Sequence, residues 1–376
     1  MASTAALIIV LSVVNGLQEL VVSNYNLFNP QLKIEATEGK VFSVENEQFS
    51  IFDLENIEGV KVVEPVLCDL ALVTYNEKQT LATLYGVSER YPKLSGLSET
   101  ILDGDFNTGS QTGVVLGAGI AGLLGVDLKD FVPLKLYYPK RNKQSLANPM
   151  DAFQVRYAPP LGVFSTFTPY DEQALFLPVT LAKELFEYDH ETSYLAVYLD
   201  ENVPFDKVQK KIEQLVGKQF SVKNQMQQEA LLFKTIQMEN FMVYLILGFI
   251  LVIATINIIG ILSMLIIEKR VDISILHTLG ASKALIKKIF LMVGAMIGIF
   301  GGLLGICIGL ICCLLQQYFE IITFGAPESS FIISAYPVAL DFKDFAVTFC
   351  LIIFISITTS TLALKGLKNS YLTNKY

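Results

Sequence analysis

Residues suited to catalysis are few in this chain, and their spacing assembles no reaction centre. Two histidines occur, His190 and His277, with no second histidine near either to share a metal. The five cysteines form no Cys-x-x-Cys pair, and no Gly-x-Ser-x-Gly turn is present. Glycines at 113, 117, 119, 122 and 125 invite comparison with a phosphate loop, yet Gly-x4-Gly-Lys-[Ser/Thr] is absent, and Gly39-Lys40 runs on into Val41. These glycines read as turn and close-packing positions. A non-catalytic chain that binds no metal and no cofactor is expected.

Two polar stretches carry more information. In Glu268–Ser282, Val271, Ile275 and Leu279 recur at i, i+4 and i+8 with Leu276 beside them, while Lys269, Arg270 and Asp272 cluster at the front. This spacing predicts a two-turn amphipathic helix closed by Gly280, with Ser282 capping the helix that follows. Such a helix either lies in the membrane interface or fills a groove on a cytoplasmic partner. In Pro139–Asp151, Lys140, Arg141 and Lys143 sit close together in a polar loop on an otherwise acidic segment. That loop is either a solvated hairpin tip or a docking site for an acidic partner.

The elements around these stretches belong to a membrane protein. Apolar residues make up 52% of the chain and charged residues 17%, against about 25% charged in a soluble domain. Phe241–Ile267 and Ile289–Leu315 each run 27 residues without a charge, and Phe345–Leu364 another 20. About 20 apolar residues span a hydrocarbon core. Ala2–Leu17 is a shorter run; with no basic residue before it and no small-x-small site after it, it reads as a transmembrane helix lacking its first turns rather than a signal peptide. Lys269, Arg270, Lys283, Lys287 and Lys288 place the 268–288 loop in the cytoplasm, with the tail bearing Lys365, Lys368 and Lys375.

The expected order is therefore a partial first span at 1–17, an outer domain at 18–240 and a second span at 241–267. A cytoplasmic loop at 268–288, a third span at 289–315 and an outer loop at 316–344 follow. The fourth span at 345–364 and a cytoplasmic tail at 365–376 complete it. Residues 18–240 carry 19 Lys/Arg against 30 Asp/Glu, a net of −11, which argues against nucleic acid as a partner. Alternating and β-branched strand signals, including Val60–Val66, Leu70–Tyr75, Thr80–Tyr85 and Tyr194–Leu199, mix with helical stretches. Pro204–Val216 is one, with Val208, Ile212 and Leu215 on one stripe. The fold class is four transmembrane α-helices with a large α+β extracytoplasmic domain between the first and second. Cys68 alone lies in that domain, so no disulfide within it is expected. Gly301, Gly305 and Gly309, with Gly294 and Gly298 before them, permit close helix approach in the third span, in its own bundle or at a dimer interface.

Together these residues resemble the LolC/LolE lipoprotein-releasing permeases, within the MacB/FtsX class of ABC transporter membrane subunits. The resemblance runs from Leu7-Ile-Ile-Val-Leu-Ser-Val-Val-Asn-Gly-Leu-Gln-Glu-Leu20 through Met238-Glu239 and Ile256-Asn257-Ile258-Ile259 to Glu268-Lys269, Asp272-Ile-Ser-Ile-Leu276 and Leu279-Gly-Ala-Ser282. Val115-Leu-Gly117, Leu124-Gly125, Gly162-Val-Phe164 and Phe176-Leu-Pro178 keep the family's order in between. It implies a bacterial inner-membrane permease with a MacB-like periplasmic domain, working by mechanotransmission. A separate LolD-like ATPase subunit, itself using ATP and Mg, would seat on a coupling helix built from Lys269, Arg270, Asp272, Ile273, Ile275, Leu276, Leu279 and Gly280. It also implies a second permease subunit, as homo- or heterodimer, a lipoprotein substrate and a LolA-like carrier chaperone. The carrier would dock on Pro139, Lys140, Arg141, Lys143, Pro149 and Met150. Acyl chains would pass a gate at Leu7, Val10, Val14, Met242 and Phe249. The family carries a cytoplasmic segment and half a span ahead of the residue numbered Met1 here, and Pro-Ala positions after span four that Ala363–Asn369 lacks. A MacB-like exporter, an FtsX-like signal transducer for a cell-wall enzyme, and a motor-free tethered binding module are the alternatives.

Overall fold

The computed structural model describes residues 1–44, 49–106, 113–130, 132–141, 152–200, 203–323 and 336–367. In chain order the elements begin with α1 (Ala2–Phe28), β1 (Leu32–Ala36), β2 (Phe42–Ser43), α2 (Ile51–Glu55), β3 (Val60–Tyr75), β4 (Lys78–Val87), α3 (Tyr91–Ser95) and β5 (Ile101–Gly104). Then come β6 (Val114–Gly117), α4 (Ala118–Leu124), β7 (Leu134–Pro139), β8 (Phe153–Ala158), β9 (Pro160–Phe164), β10 (Ala174–Pro178), α5 (Val179–Phe186), β11 (Glu191–Thr192) and β12 (Tyr194–Leu199). Last are α6 (Phe205–Val216), β13 (Phe220–Asn224), α7 (Gln225–Gln228), α8 (Ala230–Glu268), α9 (Arg270–Thr278), α10 (Lys283–Phe319) and α11 (Phe342–Leu367). They form two compact units, Val21–Phe233 and the remainder, Met1–Leu20 with Lys234–Tyr376.

Residues Val21–Phe233 build the α+β domain on a mixed sheet whose path runs β13-β1-β12-β3-β4-β10-β6-β9-β5, with β7 joined to β3 and β8 to β7. The separate signals at Val60–Val66 and Leu70–Tyr75 merge into one 16-residue strand. Its first half pairs with β12 (Val63 with Val197), and its second half pairs with β4 and β7 (Leu72 with Leu81 and Tyr137). Strands at the middle of the sheet are buried on both faces, so their sequences are apolar throughout instead of alternating. In β10, Leu175 and Leu177 enter one core with Leu84, Leu116 and Phe186 of α5; Phe176, between them, enters another with Val115, Phe164 and Tyr91. In β12, Leu195 and Val197 join a third core with Leu32, Ile34 and Ile212.

On α6 the buried positions are Val208, Ile212 and Val216, while Leu215 of the expected stripe is exposed. The face is rotated because Gln209 is drawn inward, donating its amide to Val222 O at 2.9 Å and to Gln227 Oε1 at 3.1 Å. Of the glycines at 113–125, Gly113, Gly117 and Gly119 are closely packed, whereas Gly122 faces open space. A Cβ on Gly119 would lie 2.6 Å from Glu172 Cγ, and Gly125 closes α4 with φ +69°.

Among the described residues, four helices are long and apolar enough to cross a membrane: Ala2–Phe28, Ala230–Glu268, Ala284–Phe319 and Phe342–Thr361. At about 1.5 Å per residue, the 39 residues of α8 extend roughly 58 Å, well past a hydrocarbon core. The first helix does not stop at Asn15-Gly16; Gly16 lets the Pro337 carbonyl approach, where a Cβ would meet it at 2.5 Å. Ala339 N donates to Ser12 O at 3.0 Å, Asn15 donates to Asp344 at 2.6 Å, and Gln18 and Asn240 exchange amide hydrogen bonds at 2.8 and 3.3 Å. The small residues of α10 pack inside this bundle. Gly298 faces Ser356 of α11, and Cβ atoms on Gly305 and Gly309 would lie 2.7 and 2.9 Å from Thr4 and Ile8 of α1.

Candidate functional site

Helix α9 lies between α8 and α10, separated from α8 by Lys269 alone. Its end is a Schellman closure: Gly280 N donates to His277 O and Ala281 N to Leu276 O, which requires the left-handed φ of +94° at Gly280. Ser282 then accepts from Leu285 N at 3.2 Å and caps α10. With both ends closed, the chain turns from one long helix into the next within a few residues. Lys269 Nζ lies 3.2 Å from Asp272 Oδ2, a pair open to water that sets the front of the helix and adds little stability.

Among the described residues, none covers the apolar stripe of α9. Val271 is 61% exposed and Leu279 79%, with Ile275 and Leu276 exposed beside them; Ile273 alone is half-buried. Arg270 and Asp272 are exposed at one end of that stripe. The arrangement is an apolar ridge with charges at its margin, which suits either the membrane interface or a groove on another molecule.

The other candidate residues separate into distinct settings. Leu7 is buried with Leu11 and Leu247, flanked by Val243, Ile250 and Leu251, where α1 and α8 pack. Val10, Met242 and Phe249 are exposed on their helices, and Val14 is half-buried. Pro139 ends β7 and Lys140 and Arg141 follow it, whereas Lys143, Pro149 and Met150 lie outside the described residues. Arg141 is engaged within its own domain. Its guanidinium lies 3.6 Å from the centroid of the Tyr188 ring and 4.0 Å from Glu191, and its backbone N–H donates to Glu187 at 3.3 Å. Slight desolvation opposes it, yet the N–H groups of Asp189 and His190, together with Arg141, hold the Glu191 carboxyl below its usual range. Three positions before Arg141, in β7, Tyr138 donates to Asp69 at 2.7 Å, and burial and that carboxylate push its phenol pKa up. Among the described residues no three His, Cys, Asp or Glu come together as a metal site.

One cluster has no signature in the sequence. Asn29, Tyr170 and Glu229 come from three distant segments and meet by hydrogen bonds of 3.1 Å and 2.5 Å to one carboxylate oxygen. Each is an ordinary polar residue in its local context, and only the sheet brings them together.

Comparison with known proteins covers nearly the whole chain. The MacB-like periplasmic core domain matches residues 1–215, and the FtsX-like permease C-terminal domain matches residues 244–372. The lipoprotein-releasing system transmembrane protein LolE of Haemophilus influenzae is 25% identical over 318 residues, covering 82% of this chain and 74% of that protein. The corresponding LolC of Neisseria meningitidis serogroup B is 25% identical over 320 residues, covering 81% and 73%. Among solved structures, the periplasmic region of MacB from Actinobacillus actinomycetemcomitans aligns with 56% of this chain and 96% of its own, at 15% identity and a TM-score of 0.38.

Proposed function

Because the chain belongs to the MacB-like and FtsX-like family of ABC transporter permeases, we propose that it is the membrane subunit of a transporter that extracts lipoproteins from the inner membrane and hands them to an extracytoplasmic carrier. Membership implies an ATPase partner subunit. The protein is a multi-pass membrane protein with its large domain outside the cytoplasm. The observation that carries the coupling half of the proposal is the uncovered apolar stripe of α9, fastened at both ends to long helices. A LolD-like ATPase would seat there, with Val271, Ile275, Leu276 and Leu279 in its groove and Arg270 and Asp272 fixing register. Similarity to LolE and LolC over about four-fifths of the chain supports the lipoprotein half. In this reading a second permease subunit completes the assembly. Acyl chains part α1 from α8 beside Leu7, and the carrier, LolA-like, docks on the loop that carries Pro139, Lys140, Arg141, Lys143, Pro149 and Met150.

The deciding experiment has two arms. Purification of the tagged chain from its host recovers a small ATP-binding subunit, and deletion of residues 269–280 abolishes that recovery. A photocrosslinker at Val10 or Phe249 captures a triacylated lipoprotein. Recovery of the ATPase with capture of soluble or lipid-only species instead would assign the chain to an exporter. No ATPase at all would leave a tethered binding module.

A further inference from the structure

Asn29, which follows α1, and Glu229, which precedes α8, are 200 positions apart in sequence, yet they are hydrogen-bonded. Asn29 donates its amide to Glu229 Oε1 at 3.1 Å, and the Tyr170 hydroxyl donates to the same oxygen at 2.5 Å. Gln225 donates to Asn29 O at 3.0 Å and Gln228 to Pro30 O at 2.9 Å, so α7 grips the same turn from its other side. Phe28 stacks flat on Tyr170, with ring centroids 4.2 Å apart and planes 8° from parallel.

The segment that presents Tyr170 is itself rigidly held. Asp171 is buried and accepts from Ser165 Oγ and Thr166 Oγ1 at 2.8 Å and from Phe167 N at 2.9 Å. Those bonds hold Phe167 at φ +56°, a left-handed conformation that costs a non-glycine residue free energy and persists only where its surroundings over-determine it. The carboxylate therefore joins a stiff rim of the domain to both helices through which the chain enters and leaves it. Hydrogen bonds to a carboxylate are shorter and stronger than neutral ones, which suits a point that must bear load.

We propose that Glu229 is a mechanical joint: it makes the end of α1, the start of α8 and the Tyr170 rim move as one body, and work delivered along either helix reaches the outer domain only while it holds both partners. The transmission half rests on the reading of the chain as an ATP-driven permease; the one-body half does not.

The test uses the full-length protein in lipid nanodiscs, with the five native cysteines replaced by alanine. Spin labels are placed at Ser23 and Glu172, and in a second preparation at Leu231 and Glu172. The expected result is a narrow distance distribution for both pairs in the wild-type background, unchanged on adding ATP analogue and the co-purified ATP-binding subunit. Glu229→Gln and Tyr170→Phe should broaden both distributions, Tyr170→Phe keeping the ring stack and removing only the hydroxyl. In the coupled assembly both should lower lipoprotein release by roughly tenfold, the scale of one lost hydrogen bond to a charged group, while ATP hydrolysis continues. Distributions as narrow in both variants as in wild type would overturn the joint. A wild-type distribution that shifts with nucleotide would overturn transmission through it. If no ATP-binding subunit binds, the permease reading fails, and the distances in the resting protein still decide the joint.

Discussion

The Arg141 guanidinium lies over the face of Tyr188, 3.6 Å from the ring centroid, at the root of the most basic segment of the outer domain. Its charge is already matched by the ring and by Glu191. Lys140, beside it, is exposed. Removing the Lys140 charge (Lys140→Gln) should weaken capture of an acidic carrier, whereas Arg141→Gln should instead lower thermal stability by about 0.5–1 kcal/mol, the worth of an exposed cation–π pair. Pull-down with the carrier and melting of the detergent-solubilised protein, run side by side on the two variants, check this.

On α9, Ile275→Asp or Leu279→Asp should abolish recovery of the ATP-binding subunit with the melting temperature unchanged, because both side chains are exposed. Asp272→Lys breaks an exposed pair worth about 0–1 kcal/mol, so its effect should appear in partner recovery and not in stability. Normal recovery with all three variants would move the docking surface elsewhere.

Gly280→Ala should cost about 1 kcal/mol locally, since alanine pays for the left-handed conformation that the Schellman closure needs. The expected readout is faster hydrogen exchange across residues 276–285 with the outer domain unaffected.

Gly298→Leu and Gly305→Val should destabilise the membrane unit by about 1–3 kcal/mol through overpacking against Ser356 and Thr4. Expression level and melting temperature report it. A loss of oligomer with no loss of monomer stability would instead mark these glycines as a subunit interface.

Burial, and then the Glu229 carboxylate, raise the Tyr170 phenol pKa above its ordinary value of about 10. A group whose pKa is raised on folding contributes stability that is complete below its unfolded pKa and is lost as pH climbs through the folded one. Melting temperatures between about pH 8 and 11 should therefore fall more steeply for wild type than for Tyr170→Phe above pH about 10, with the two curves parallel below it.

The membrane helices and α9 were legible because their signals are local. An uncharged run of 27 residues, or apolar positions at i, i+4 and i+8 ahead of a glycine, identifies an element without reference to the rest of the chain. Strand order was not legible, since Leu72 finds both Leu81 and Tyr137 only through a sheet that joins distant segments. The same limit hid Glu229, and it misplaced the α6 stripe, where the pull of Val222 O on Gln209 outweighs the periodicity of the apolar residues. The apolar run ending at Leu17 is continued as helix to Phe28, although a glycine at position 16 weakens a helix in isolation. Here close approach of the Pro337 backbone requires it inside one.

β1 pairs on one edge with β12 and on the other with β13, Leu32 meeting Asn224. Seen from the ribosome, this strand emerges early and waits for nearly the entire domain before either neighbour exists. Closure so deferred is slow, because the loop entropy is spent before the pairing returns it. The sheet around β1 therefore stays unsealed until β13, the last strand of the domain and only a few residues ahead of α8, has been made.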